Sequence, residues 1–189
     1  EYLFCISDVS GKGISAALIM ANLQANLRIL AEQKLSLNEL VQKLNHNVCN
    51  ITKGEKYFTF FVGIINTQLR RLTYINAGHT PSLLWNNGKV YHLDKGCTIL
   101  GMFKKLPSVE VTEIELSEKA LILNYTDGLS EASDNAGNLF ELERIEHFLQ
   151  ENHNLPVRDF NRQLIQEMEN FKKGTEYDDD LSLLTIRIR

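Results

Sequence analysis

Residues 4–18 read FCISDVSGKGISAAL: an aspartate closes an apolar run, a Ser-Gly-Lys-Gly turn follows, and an alanine-rich helical pattern begins. Either the glycines cradle a phosphate or the aspartate holds a cation. A Walker loop needs glycine five positions before its Gly-Lys pair and Ser or Thr after the lysine. Here Ile6 stands at the first position and Gly13 at the second. A dinucleotide loop fares little better: Ala16 stands where the third glycine belongs, which only the looser motif allows, and no strand-helix-strand continuation follows.

The same punctuation recurs along the chain. Asp127, in LILNYTDG, follows a second apolar run and precedes glycine, and the acidic triplet Asp178-Asp179-Asp180 precedes the last apolar run. Any one of these, taken singly, reads as a turn or a cap. Three acidic positions at the ends of core strands read better as a cation site. Gathered carboxylates repel one another unless a cation compensates, and hard divalent ions such as Mg²⁺ and Mn²⁺ prefer such oxygen ligands.

Working outward, residues 2–7 read as a strand buried on both faces and residues 14 to about 33 as a helix. SLNE, beginning at Ser36, is a capping box opening a second helix, with Leu37, Leu40, Val41, Leu44, Val48 and Ile51 in one apolar stripe. Residues 57–65 and 70–78 form two strands, and Asn87-Gly88 turns a hairpin within residues 82–93. VEVTEIEL (109–116) and KALILNYT (119–126) read as another antiparallel pair. Helices over 141–152 and 157–172 follow, then a closing strand within 181–189. Strands do not alternate singly with helices, which disfavours a doubly wound parallel sheet. The expected class is α+β, a four-layer α-β-β-α sandwich of two largely antiparallel sheets flanked by helix pairs, with residues 1–189 as one domain.

Composition narrows the function. The chain has 189 residues, is 43% hydrophobic and 23% charged, and carries a net charge of -4, which argues against a nucleic-acid partner. No apolar run reaches the roughly 18 residues of a membrane span, so none is expected, and no signal-peptide layout is present. Cys5, Cys49 and Cys97 are widely spaced, as reduced thiols of a cytoplasmic protein would be. Because the sequence enters a strand at once, an upstream segment of the domain is expected.

The segments DVSGKGISAALIMA (8–21), NAGHTPSLLW (76–85), LGMF (100–103), YTDGLSEASDNAGNLF (125–140) and DDLSLLTIRIR (179–189) resemble the metal-dependent Ser/Thr protein phosphatases of the PPM type. The likeness is to the bacterial branch that includes SpoIIE and RsbU. It implies two Mn²⁺ or Mg²⁺ ions: Asp8 would bridge them, the carbonyl of Val9 would bind the first, and Asp127 and Asp179 the second. Asp180 would stand behind the ligands. Such ions would supply an activated water and clamp the phosphoryl oxygens. The branch normally has a further aspartate in a Gly-Gly-Asp motif on a preceding strand, absent here. Ser10 stands where eukaryotic members have a histidine. His79 reads as part of a strand-to-strand bend rather than as a replacement acid, and Lys12 as either a phosphate contact or a solvated turn residue. The resemblance further implies a phosphorylated STAS-type anti-sigma-factor antagonist as substrate and an upstream sensory domain on the same polypeptide. A non-catalytic module recognising the same partner is the alternative.

Overall fold

The computed structural model describes residues 1–177 and 179–188. Asp178 and Arg189 lie outside the described residues, so the expectation for the acidic triplet is met here only at Asp179 and Asp180. The chain divides into two compact units, Glu1–His79 with Asp94–Glu115 and Thr80–Leu93 with Leu116–Arg189.

The first unit holds a sheet in the order β1 (Tyr2–Val9), β2 (Phe58–Asn66), β3 (Arg71–Ala77), β6 (Gly96–Cys97), with β7 (Thr112–Glu115) also paired to β3. Every pairing is antiparallel except the two-residue match of β3 with β6. Helices α1 (Ile14–Glu32) and α2 (Leu37–Thr52) belong to this unit. The capping box forms as the sequence requires: Ser36 Oγ accepts from the Glu39 amide at 3.3 Å, and the Ser36 amide donates to Glu39 Oε2 at 3.0 Å. The α2 stripe buries Leu37, Leu40, Val41, Leu44 and Val48 against Phe58, Phe60, Val62 and Ile75 of the sheet. At about 1.5–3 kcal/mol per large side chain, that stripe is what fixes α2 to the sheet. Ile51, at its end, is 54% exposed.

The second unit holds a fully antiparallel sheet in the order β5 (Lys89–Leu93), β4 (Ser82–Asn86), β8 (Leu121–Tyr125), β9 (Leu183–Arg187). Helices α4 (Leu142–Asn152) and α5 (Val157–Lys172) pack on it through Ile145, Phe148, Leu149, Phe160, Leu164 and Met168. A short helix α3 (Asp127–Ser130) follows β8 directly. The class is therefore α+β, two largely antiparallel sheets each with a helix pair, as the order of apolar patterns implied.

Three expectations need correction. First, β7 pairs with β3, not with β8. Its residues alternate between half-buried and exposed, whereas all five of β8 are buried, so the two neighbouring runs suit different sheets. Second, β1 is not buried on both faces. It lies at the edge of its sheet, with Tyr2 67% exposed, because a short apolar run does not by itself distinguish a central strand from an edge strand. Third, α1 is long and apolar enough to cross a membrane by length and composition alone. Its polar residues are scattered uncharged ones such as Asn22, Gln24 and Asn26, with Arg28 and Glu32 its only charges, so a search for an unbroken apolar run passes over it. Within the unit α1 buries Leu23 and Leu30 and leaves Ile14, Leu18 and Ile29 exposed.

Candidate metal centre

In the first unit, Asp8 lies inside β1 rather than after it, opposite Thr59 of β2, with Val9 opposite Phe58. The Asp8 side chain is at the surface while that of Val9 is buried in the core, so the strand end is anchored by one residue and presents the other. Ser10 closes the turn by two bonds to one residue: its amide donates to the Tyr57 carbonyl at 3.0 Å, and its hydroxyl accepts from the Tyr57 amide at 3.2 Å. The hydroxyl thus has a structural task at the position where the resemblance led one to look for an acid. Gly11, at φ 92°, allows the chain to turn where an L side chain would be strained.

His79 is 5% exposed and fixed on several sides. Its amide donates to Asn76 Oδ1 at 2.8 Å, its carbonyl accepts from Asn76 Nδ2 at 3.0 Å, and its Nδ1 lies 2.8 Å from Thr59 Oγ1. The same Thr59 hydroxyl lies 3.5 Å from the Asp8 carbonyl. His79 is thus a buried bend residue joined through Thr59 to the strand beside the one that carries Asp8.

In the second unit, one joint brings the end of β8 onto the start of β9. Thr126 Oγ1 donates to the Asp180 carbonyl at 2.8 Å and accepts from the Ser182 amide at 2.9 Å, while the Thr126 amide donates to the Ser182 carbonyl at 3.1 Å. Gly128 is buried against the same segment. A Cβ there would stand 2.6 Å from the Asp180 carbonyl oxygen and 3.3 Å from that of Asp179. Thr126 and Gly128, the residues on either side of Asp127, thus both pack on the backbone of residues 179–182. The Asp179 carboxylate is itself oriented by the Asp180 amide, which donates to Oδ1 at 2.8 Å.

Neither Asp127 nor Asp179 has a lysine, arginine or histidine partner among the described residues. Carboxylate oxygens without a cationic partner are hard donors, which fits a divalent ion of the Mg²⁺ or Mn²⁺ kind. No group of three or more His, Cys, Asp or Glu side chains that could hold a metal occurs among the described residues. Asp8 belongs to the other unit.

The sequence reading marks Gly128 only as punctuation after Asp127 and passes over Thr59 and Thr126. Thr126 had the one available signal, a threonine just before an acidic helix start, which reads as an N-cap. It makes no cap bond, and spends its hydroxyl across the joint instead.

Solved structures with the same fold define the class. The SiaA PP2C domain of Pseudomonas aeruginosa superposes with a TM-score of 0.87 at 17% identity, over 100% of this chain and 76% of that one. The catalytic domain of the serine threonine protein phosphatase PstP, in complex with two manganese ions, superposes with a TM-score of 0.70 at 15% identity, over 99% and 88%. The fold is that of the PP2C domains. The family model for Stage II sporulation protein E matches residues 1–189, and the chain belongs to that SpoIIE family. It is also 25% identical to the phosphoserine phosphatase RsbP of Bacillus subtilis (strain 168) over 194 aligned residues, covering 100% of this chain and 46% of RsbP. The chain thus spans less than half the length of that relative.

Proposed function

We propose that this chain hydrolyses phosphoserine or phosphothreonine on a protein, with two divalent cations held by Asp8, the Val9 carbonyl, Asp127 and Asp179. The observation that carries the reading is the joint at Thr126 and Gly128, which packs the chain on both sides of Asp127 against the backbone of Asp179 and Asp180, with neither aspartate paired to a cation among the described residues. Family membership and the PP2C fold support it. When bound, the two ions supply an activated water and neutralise charge on the phosphoryl oxygens. The chain's own residues have separate tasks: Thr126 and Gly128 hold the chain around Asp127 to the backbone of Asp179 and Asp180, Ser10 closes the turn after Asp8, and His79 braces Thr59 on the strand beside it. No side-chain nucleophile is required.

The substrate we favour is a phosphorylated STAS-type antagonist in a partner-switching pathway, under control of an upstream sensory domain. The support for phosphoserine is the name of the relative RsbP. The three free cysteines accord with a reducing, cytoplasmic setting.

The test is hydrolysis of p-nitrophenyl phosphate titrated with Mn²⁺ against a chelator control, on the wild type and on Asp127→Asn. Mn²⁺-dependent turnover that Asp127→Asn reduces by a factor of ~100 or more supports the reading. Turnover that survives the substitution rejects the assignment of Asp127. The competing reading, a non-catalytic module that recognises the same partner, draws on the lack of a three-carboxylate cluster among the described residues. It predicts no Mn²⁺-dependent turnover together with retained binding to the phosphorylated partner.

A further inference from the structure

Lys172, the last residue of α5, is 1% exposed, and its Nζ has no hydrogen-bond acceptor among the described residues. A buried ammonium without an acceptor is costly unless its surroundings compensate. Here the compensation is specific. Nζ lies 3.3 Å from the centroid of the Tyr177 ring, a cation–π contact that strengthens when desolvated. Its place in the last turn of the helix also favours a positive charge. The Tyr177 hydroxyl donates to the carboxylate of Glu169, one turn earlier on the same helix. Tyr177 is therefore gripped at its face by Lys172 and at its tip by Glu169, although half of the residue is exposed. An exposed aromatic held by two charged groups is not there to fill a core.

Its location suggests the task. Tyr177 and Asp179 line one cavity of about 200 Å³ together with Gly128 and Lys172. The loop leaving α5 is tied once more, at Thr175, whose hydroxyl donates to the Ser133 carbonyl at 2.7 Å. Beyond Asp179, the Asp180 carbonyl is held by Thr126. Asp179 thus hangs between two clamps, Thr126 downstream and Tyr177 upstream. We infer that Tyr177, locked by Lys172 and Glu169, is a positioning residue that sets the metal-binding geometry of Asp179. The inference rests on the assignment of Asp179 as a metal ligand in the proposed function. An apolar residue at position 172 would fill the same space, but only a cation holds the ring face by charge.

The experiment is Mn²⁺ binding to the full chain by titration calorimetry, for the wild type, Asp179→Asn, Tyr177→Phe and Tyr177→Ala, with thermal melting run in parallel. Partners that orient metal ligands typically contribute 10–100-fold in affinity. Tyr177→Ala is expected to weaken Mn²⁺ binding at least ~10-fold, approaching Asp179→Asn. Tyr177→Phe, which keeps the ring on Lys172 and loses only the Glu169 bond, is expected to weaken it about threefold. Wild-type affinity in Tyr177→Ala beside a loss in Asp179→Asn overturns the inference and leaves the metal site standing. So does a lowered melting temperature with unchanged Mn²⁺ affinity, which would mark a purely structural role. Unchanged affinity in Asp179→Asn, or no binding by the wild type, overturns the inference together with the site.

Discussion

Gly128→Ala tests the joint directly, because the obstruction is backbone on the far side. A carbon atom keeps about 3.4 Å from a carbonyl oxygen, and the new Cβ would start 2.6 Å from the Asp180 oxygen and 3.0 Å from its carbonyl carbon. Neither atom has a rotamer with which to move aside. The α3 start and the 179–182 segment must therefore separate by about 0.8 Å. Overpacking of this kind costs ~1–3 kcal/mol, which for a chain of this length lowers the melting temperature by about 3–10 °C. The same displacement exceeds the ±0.2 Å or so within which metal–ligand distances hold, so Mn²⁺ affinity should fall at least ~10-fold, or 1.4 kcal/mol. Titration calorimetry and a thermal melt read the two effects on one sample. Affinity and melting temperature both unchanged would show that the joint yields without cost, and would remove the argument that Gly128 holds Asp127 to Asp179.

Two further outcomes follow from the interior. Leu44 is fully buried in the α2 stripe, so Leu44→Ala should cost about 2–5 kcal/mol in urea unfolding; a loss below ~1 kcal/mol would mean that α2 is not fixed to the sheet by that stripe. Burial pushes the Cys5 and Cys97 thiols up to about 11 from 9.0. Because the thiolate is the reactive species, both should react with iodoacetamide ~100-fold more slowly than a free thiol at pH 8, with rates rising tenfold per pH unit toward pH 11. The linked stability has the same cause and the opposite trend: it is fully present below the unfolded pKa near 9 and declines as pH rises toward 11, since the unfolded chain releases those protons first. Labelling at the rate of a free thiol would refute the burial.

The elements were legible wherever one local pattern decides them. The capping box at Ser36, the α2 stripe as far as Val48, the helix over 157–172 and the Asn87-Gly88 hairpin all appear where the periodicity and turn chemistry place them. Pairing was less legible, because it depends on partners far along the chain. VEVTEIEL and KALILNYT are neighbours with a short connection, yet β7 joins β3 of one unit and β8 lies between β4 and β9 of the other. The clue was present in composition: Glu113 and Glu115 need solvent, while LILNY is apolar except for Asn124, whose amide is satisfied by Ser82 and the Leu184 carbonyl. Lys172 was hidden for a related reason. The spacing of the buried Phe160, Leu164 and Met168 in α5 leads to Phe171 next, and no periodicity assigns a lysine to the interior.

Gly128 shows how a residue can be noticed for the wrong physical property. Asp127-Gly128 was legible as punctuation, and the ordinary use of glycine after aspartate is a turn needing positive φ. Here Gly128 lies in α3 and is absent from the positive-φ glycines, so any residue could adopt its backbone angles. What it supplies is the missing Cβ, which lets the β8 end touch the Asp180 carbonyl. That distinction decides what a substitution does. A turn glycine fails by backbone strain and tends to disturb its own loop, whereas Gly128 fails by pushing a distant segment away, and the segment it pushes carries Asp179.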